Sequence, residues 1–140
     1  MEETMNASGP QTGDAGQIRA LIEQWAEAVR RKDMDGILRH HAPDFIMFDV
    51  PPPLQSKGIE AYRDTWPLFF GASPNPPVFD IVDLKIRAGA EVAFAVALMR
   101  CVLVTQTESS DLDFRLTICF EKIAGQWTFM HEHHSVPAID

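Results

Sequence analysis

The stretch Trp127-Thr-Phe-Met-His-Glu-His-His-Ser135 opens with large strand-forming side chains and closes in a cluster of imidazoles. Successive side chains of a strand point to opposite faces. Regular alternation therefore predicts Trp127, Phe129, His131 and His133 on one face, and Thr128, Met130, Glu132 and His134 on the other. Three of the chain's five histidines fall in this short run. Imidazole titrates near neutral pH and can donate, accept or ligate, so this concentration beyond an apolar anchor is what a ligand pocket requires. A hydrogen-bonded structural cluster is the competing reading.

Working outward, residues 79–87, 92–105 and 115–123 share the two-residue period of 127–135 and read as strands. Turns are expected at Ala88-Gly89, at Glu108-Ser-Ser-Asp111 and at Ala124-Gly125. Upstream the period is helical. Ile18, Leu21, Ile22, Trp25 and Val29 recur at steps of three and four, which predicts an amphipathic helix over 18–29. Asp33 or Asp35 is placed to cap a short second helix through Ile37, Leu38 and His41, stopped by Ala42-Pro43-Asp44. Residues 45–50 read as a strand closed by Pro51-Pro52-Pro53. Gly58 precedes a third helix, 59 to about 70, carrying Tyr62, Trp66, Phe69 and Phe70 at helical spacing. Helices followed by long antiparallel strands imply an α+β fold, with the helices packed on one face of a bent sheet.

The chain's 140 residues suit one domain, and its 46% apolar and 23% charged residues are a globular balance. No apolar run is long enough to span a membrane. Residues 1–14 are polar and lack the basic start and apolar stretch of a signal peptide. They are expected to form a disordered tail ahead of one domain over 15–140, in a cytoplasmic protein. The net charge of −8 and the lack of a long Lys/Arg run argue against nucleic acid. Cys101 and Cys119 sit in apolar, strand-like surroundings as small hydrophobes.

Among residues that carry chemistry, Asp49 ends its strand on the face of Phe45 and Met47. It is either a proton-transferring carboxylate in apolar surroundings or an anchor for the Pro-rich turn. Arg115 and Thr117 share a face of the penultimate strand. A hairpin at Ala124-Gly125 brings them close to residues 133–135, although turn length leaves the register, and hence the choice among His131, His133 and His134, open. Arg115 either steadies an oxyanion or pairs with Asp49, Asp113 or Glu132. His131 and His133 have the spacing of two metal ligands, with Asp49 as a conceivable third, but the signal is weak and no metal is expected. His40 and His41 read as solvated or capping residues at a helix end. No Gly-rich phosphate loop is present, and Ser135 lacks a nucleophile-elbow context.

The string Ala42-Pro-Asp-Phe-Ile-Met-Phe-Asp-Val-Pro-Pro-Pro-Leu54 carries a family resemblance together with Gly58, the Trp66-bearing helix, Arg115-Leu-Thr117, Gly125-Gln-Trp127 and His131-Glu-His133-His-Ser135. In order and spacing these resemble the nuclear transport factor 2-like superfamily, within it the SnoaL-like and ketosteroid isomerase-like proteins, over about residues 15 to 137. The resemblance implies a cone, in which a strongly curved antiparallel sheet wraps about three helices and leaves an apolar cavity, and it implies frequent homodimers. Members include isomerases, dehydratases, polyketide cyclases and hydrolases, and also modules that only bind, such as a kinase association domain with a similar Trp-to-His-X-His-X-Ser ending. Steroid isomerisation is not implied, because Tyr62 is the only tyrosine and no oxyanion pair stands out.

Two expectations follow. One is a cofactor-independent isomerase, cyclase or dehydratase acting on an apolar carbonyl-bearing small molecule. In it Asp49 shuttles a proton, His131 or His133 orients the substrate, Arg115 stabilises oxyanion charge, and Phe45, Met47, Tyr62, Trp66, Thr117 and Ser135 line the site. The other is a dimeric ligand-binding or assembly module that turns nothing over. The homodimer is expected to form through the open face of the sheet, because residues 92–99 are almost wholly apolar.

Overall fold

The apolar stripe read from residues 18–29 lies in α1 (Gly13–Arg30), where Ile18, Ile22, Trp25, Ala26 and Val29 are buried. The computed structural model describes residues Glu3–Thr4 and 13–138. Most of the expected tail lies outside the described residues. Of the rest, Glu3–Thr4 forms a short strand, β1, and Gly13 and Asp14 already belong to the first turn of α1. Asp14 explains this earlier start. Its carboxylate accepts from Lys122 Nζ and from Trp127 Nε1, both at 2.9 Å, so the helix N-terminus is fastened to the far strands. The hydrogen bonds from Lys122 and Trp127 hold its pKa below the usual carboxylate value.

The second helix, α2 (Met34–Leu38), is capped by Asp33, whose side chain accepts from the Gly36 N–H at 3.2 Å. Gly36 is needed for closeness: a Cβ there would stand 2.9 Å from Ala28 Cβ on α1 and 2.7 Å from Asp33 Oδ2. This helix ends at Leu38, earlier than its apolar residues suggested. His41 opens β2 (His41–Phe48), so Ala42-Pro43-Asp44 lies inside a strand and does not end a helix. A register irregularity between His41 and Ile46 accommodates that segment. After β3 (Ser56–Lys57), Gly58 turns the chain at a φ of 92° that favours glycine and donates its N–H to Phe45 O at 2.7 Å. Helix α3 (Ile59–Gly71) then buries Tyr62 and Trp66.

Strands β4 (Phe79–Ala88), β5 (Val92–Val104), β6 (Ser109–Ile123) and β7 (Gln126–Ser135) form the antiparallel meander read from the sequence. The turn before β6 is at residues 105–108, where Thr105 N–H donates to Glu108 O at 2.8 Å, and Ser109, Ser110 and Asp111 pair with β5 as strand. Backbone pairing wins there over the turn preference of the side chains. The sheet order is β1-β4-β5-β6-β7-β2-β3, curved and unclosed, with the helices on its inner face. One expectation is corrected: the sheet is mixed, because β2 runs parallel to β7. Among the described residues no helix is long and apolar enough to cross a membrane.

Parity along β7 changes part-way. Phe120 pairs with Phe129 but Cys119 pairs with His131, so Met130 is an extra residue, a β-bulge. Before it Trp127 and Phe129 point inward. After it Glu132 and His134 do, opposite Ile118 and Leu116. A one-residue slip moves every later side chain to the other face, and the alternation read from the sequence inverts at this point.

Candidate functional site

Glu132 is the centre of the interior. It is fully buried, and its two oxygens are shared out between two elements. Oε1 accepts from Tyr62 Oη on α3 at 2.8 Å, and Oε2 accepts from His134 Nε2 on its own strand at 2.8 Å. Tyr62 Oη in turn accepts from Trp25 Nε1 on α1 at 3.0 Å. A chain of hydrogen bonds thus crosses the cone from α1 through α3 to β7. His41 lies flat between Phe129 and Tyr62, with ring centroids 4.3 and 5.2 Å away. Its Nδ1 donates to Arg39 O at 3.0 Å, while Nε2 is buried without a hydrogen-bond partner, 3.8 Å from Glu132 Oε1.

A lone buried carboxylate would take up a proton, because desolvation disfavours its charge. Burial does push Glu132 upward, but the hydrogen bond from His134 and the neighbouring imidazoles outweigh it and hold the group at about 2. For His134 burial pushes the pKa down, and the hydrogen bond and charge of Glu132 push it up further, with Asp49 adding to the pull; the balance is above the ordinary value. Burial raises the Tyr62 hydroxyl well above its usual range, and Glu132 adds to the rise, so it remains a donor. Glu132 and His134 thus each favour the charged form of the other. The His134 side chain is 10% exposed while that of Glu132 is not exposed, so His134 is the end of the chain nearest solvent. Its ring stacks on Phe114 at 5.6 Å.

The sequence-predicted residues divide between two faces. Phe45, Met47, Tyr62 and Trp66 are inside, in a ring cluster with Trp25, Phe79 and Phe129. Asp49 is half-buried beyond the end of β2, where its carboxylate accepts from the Val50 N–H at 2.7 Å, and it lies near enough to His134 and Cys101 to act on both through its charge. Burial pushes the Cys101 thiol up to about 11, as suits an inert apolar residue.

Arg115, Thr117, His131, His133 and Ser135 do meet as a group, but on the outer face of the sheet. Arg115 pairs with Ser135 and Thr117 with His133, and Arg115 Nε donates to Ser135 Oγ at 3.0 Å. Phe48 covers the two imidazoles at 4.8 and 5.4 Å, and His131 Nδ1 donates to Ile46 O at 2.7 Å. The expectation that His131, His133 and Arg115 act with Asp49 on one substrate is therefore corrected: the bulge at Met130 turns them outward. Among the described residues no three His, Cys, Asp or Glu side chains gather to hold a metal ion.

Glu132 and His134 are interior groups that alternation misplaced, and His41 is one that the helix reading misplaced. His41, expected in solvent at a helix end, has a fully buried side chain. The one signal pointing to them was Tyr62, a lone hydroxyl on an apolar helical stripe that would need a buried acceptor.

A family model for the SnoaL-like domain matches residues 18–139. A nuclear transport factor 2-like protein of unknown function from Pseudomonas putida is 35% identical, with a TM-score of 0.79 over 92% of this chain and 90% of that one. At 19% identity, the calcium/calmodulin dependent protein kinase II hub of S. rosetta superposes with a TM-score of 0.75 over 89% of this chain and 98% of the hub. A ketosteroid isomerase-like protein from Erwinia carotovora atroseptica does so at 14% identity and 0.74, over 89% and 97%. No protein of curated function matches. With its helices held inside a curved, unclosed sheet and its family motif running from α1 to the end of β7, the chain belongs to the SnoaL-like domain family of the nuclear transport factor 2-like superfamily.

Proposed function

We propose that the protein is a small acid–base enzyme working without a cofactor on an apolar, carbonyl-bearing small molecule, with His134 as its proton donor. The observation that carries this reading is the Glu132–His134 pair, a buried carboxylate hydrogen-bonded to an imidazole at the end of the interior nearest solvent. A carbonyl oxygen gains negative charge when an adjacent carbon loses a proton or when a carbon nucleophile adds to it, and a fixed imidazolium is suited to receive that charge. Glu132 orients the ring through Nε2, which leaves Nδ1, without a partner among the described residues, to face the substrate. Asp49, whose charge acts on His134, serves as the carboxylate that accepts the proton. Phe114 supplies the apolar wall, and Tyr62 and Trp25 brace the carboxylate from behind.

The test is exchange of the α-hydrogens of a panel of cyclic ketones and β-dicarbonyl compounds for deuterium, followed by proton NMR in heavy water. Exchange above buffer is expected with the wild type, with a loss of roughly a hundredfold or more in Asp49→Asn and in His134→Gln. Ligands that bind without any gain in exchange would overturn the reading.

A second reading, a dimeric binding or assembly module, is favoured by the outer face of β5. There Val92, Phe94, Val96 and Leu98 stand 46–64% exposed in a row. A strand solvated on one face ordinarily carries polar residues there. A second copy of the chain against this face would cover them, as in a homodimer. The names of two structural neighbours, a kinase hub and a ketosteroid isomerase-like protein, fall on either side of this choice.

A further inference from the structure

A cleft of about 440 Å³ opens between α1 and α2, away from His134. Its floor is apolar, formed by Leu21, Trp25, Ala28 and Phe129. Its rim is charged, and the charges are unequally engaged. Glu23 is paired with Arg19 at 3.3 Å, Glu27 with Arg30 at 2.9 Å, and Asp33 caps α2 through Gly36. Arg31 and Arg39, both exposed on the rim, form no ion pair or side-chain hydrogen bond among the described residues. His40 completes that side. It is held at a φ of 60°, a conformation uncommon for a residue with a side chain, while its carbonyl accepts from the Phe129 N–H at 2.7 Å. Two unengaged guanidinium groups thus stand beside an apolar floor.

We infer that this cleft is a second ligand site, one that takes a small organic carboxylate with an apolar body. The volume fits one small molecule. The floor takes the apolar body. Arginine is the side chain best matched to a carboxylate, because its fork donates two parallel hydrogen bonds and stays charged at any working pH. A cation is disfavoured, since the acids that would hold it already have partners. Trp25 joins this cleft to the interior: it borders the cleft, and its indole N–H donates to Tyr62 Oη.

Calorimetric titration of the full chain with 1-naphthoate, and with the neutral 1-naphthamide as control, tests the site. The acid is expected to bind at least about tenfold more tightly than the amide, and more weakly as salt is raised. Arg31→Ala and Arg39→Ala should each weaken binding by about fivefold or more, and should leave the melting temperature in place because both side chains are exposed. His134→Gln should leave the affinity unchanged, which separates this cleft from the interior site. Equal affinity for acid and amide, wild-type affinity in the doubly substituted protein, loss of binding in His134→Gln alone, or no binding up to about 10 mM would each overturn the assignment.

Discussion

Glu132 is held in the core by Tyr62 on α3 and by His134 on its own strand, and removing its charge should be costly. Glu132→Gln would leave the His134 imidazolium without its counter-charge and Tyr62 with a weaker acceptor, and a loss of about 3 kcal/mol is expected in urea or thermal unfolding. The pair also sets a pH dependence. Glu132 is depressed in the folded state from 4.5 to about 2, so its stabilisation is present above pH 4.5 and lost as pH falls toward 2. His134 is raised above 6.5, so its stabilisation is whole below pH 6.5 and lost as pH rises through the folded-state value. The pair's contribution is then greatest between about pH 4.5 and 6.5. Melting temperatures across pH 3 to 9 for the wild type and Glu132→Gln check this: the difference between the two proteins should peak in that window and shrink on both sides. A difference that is flat with pH would mean that the pair is not ionised.

At the scale of the element, β7 decides which side chains meet. Deleting Met130 would restore plain alternation, send His131 and His133 inward and turn Glu132 and His134 out, at an expected cost of more than about 4 kcal/mol. Met130→Ala keeps the residue count and should cost no more than about 1 kcal/mol, so the pair of variants separates the bulge from the side chain. Gly36→Ala tests the α1–α2 approach: its Cβ would press on Ala28, and a loss of about 1 to 3 kcal/mol is expected from the same unfolding measurement. These cases also show what was readable beforehand. The three helices and the four-strand meander were legible, because period and turn residues are local signals that tertiary context did not override. Tyr62, Trp66, Phe45 and Met47 were legible as interior residues for the same reason. The parallel pairing of β2 with β7 and the bulge at Met130 were not, since both are set by contacts between distant segments and neither leaves a mark in neighbouring residues. That is why the imidazoles were recognised as a cluster but assigned to the wrong side.

For the whole molecule, the outer face of the sheet is the feature that sets behaviour in solution. A homodimer through the row from Val92 to Leu98 should sediment near twice 15.7 kDa at micromolar concentration. Phe94→Asp together with Leu98→Asp should give a folded monomer, because both side chains point away from the core. A wild type that is monomeric under those conditions would remove the dimer and leave the exposed row unexplained. The bulge in β7 has a reach beyond this chain. It works as a frameshift works in a message, where one inserted unit leaves every following letter intact and changes what is read. Two relatives with the same ending, one with the insertion and one without, would offer different residues to the same interior. Aligning them by letter would equate a histidine that faces inward with one that faces out, so inheritance of function along β7 has to be traced by phase and not by column.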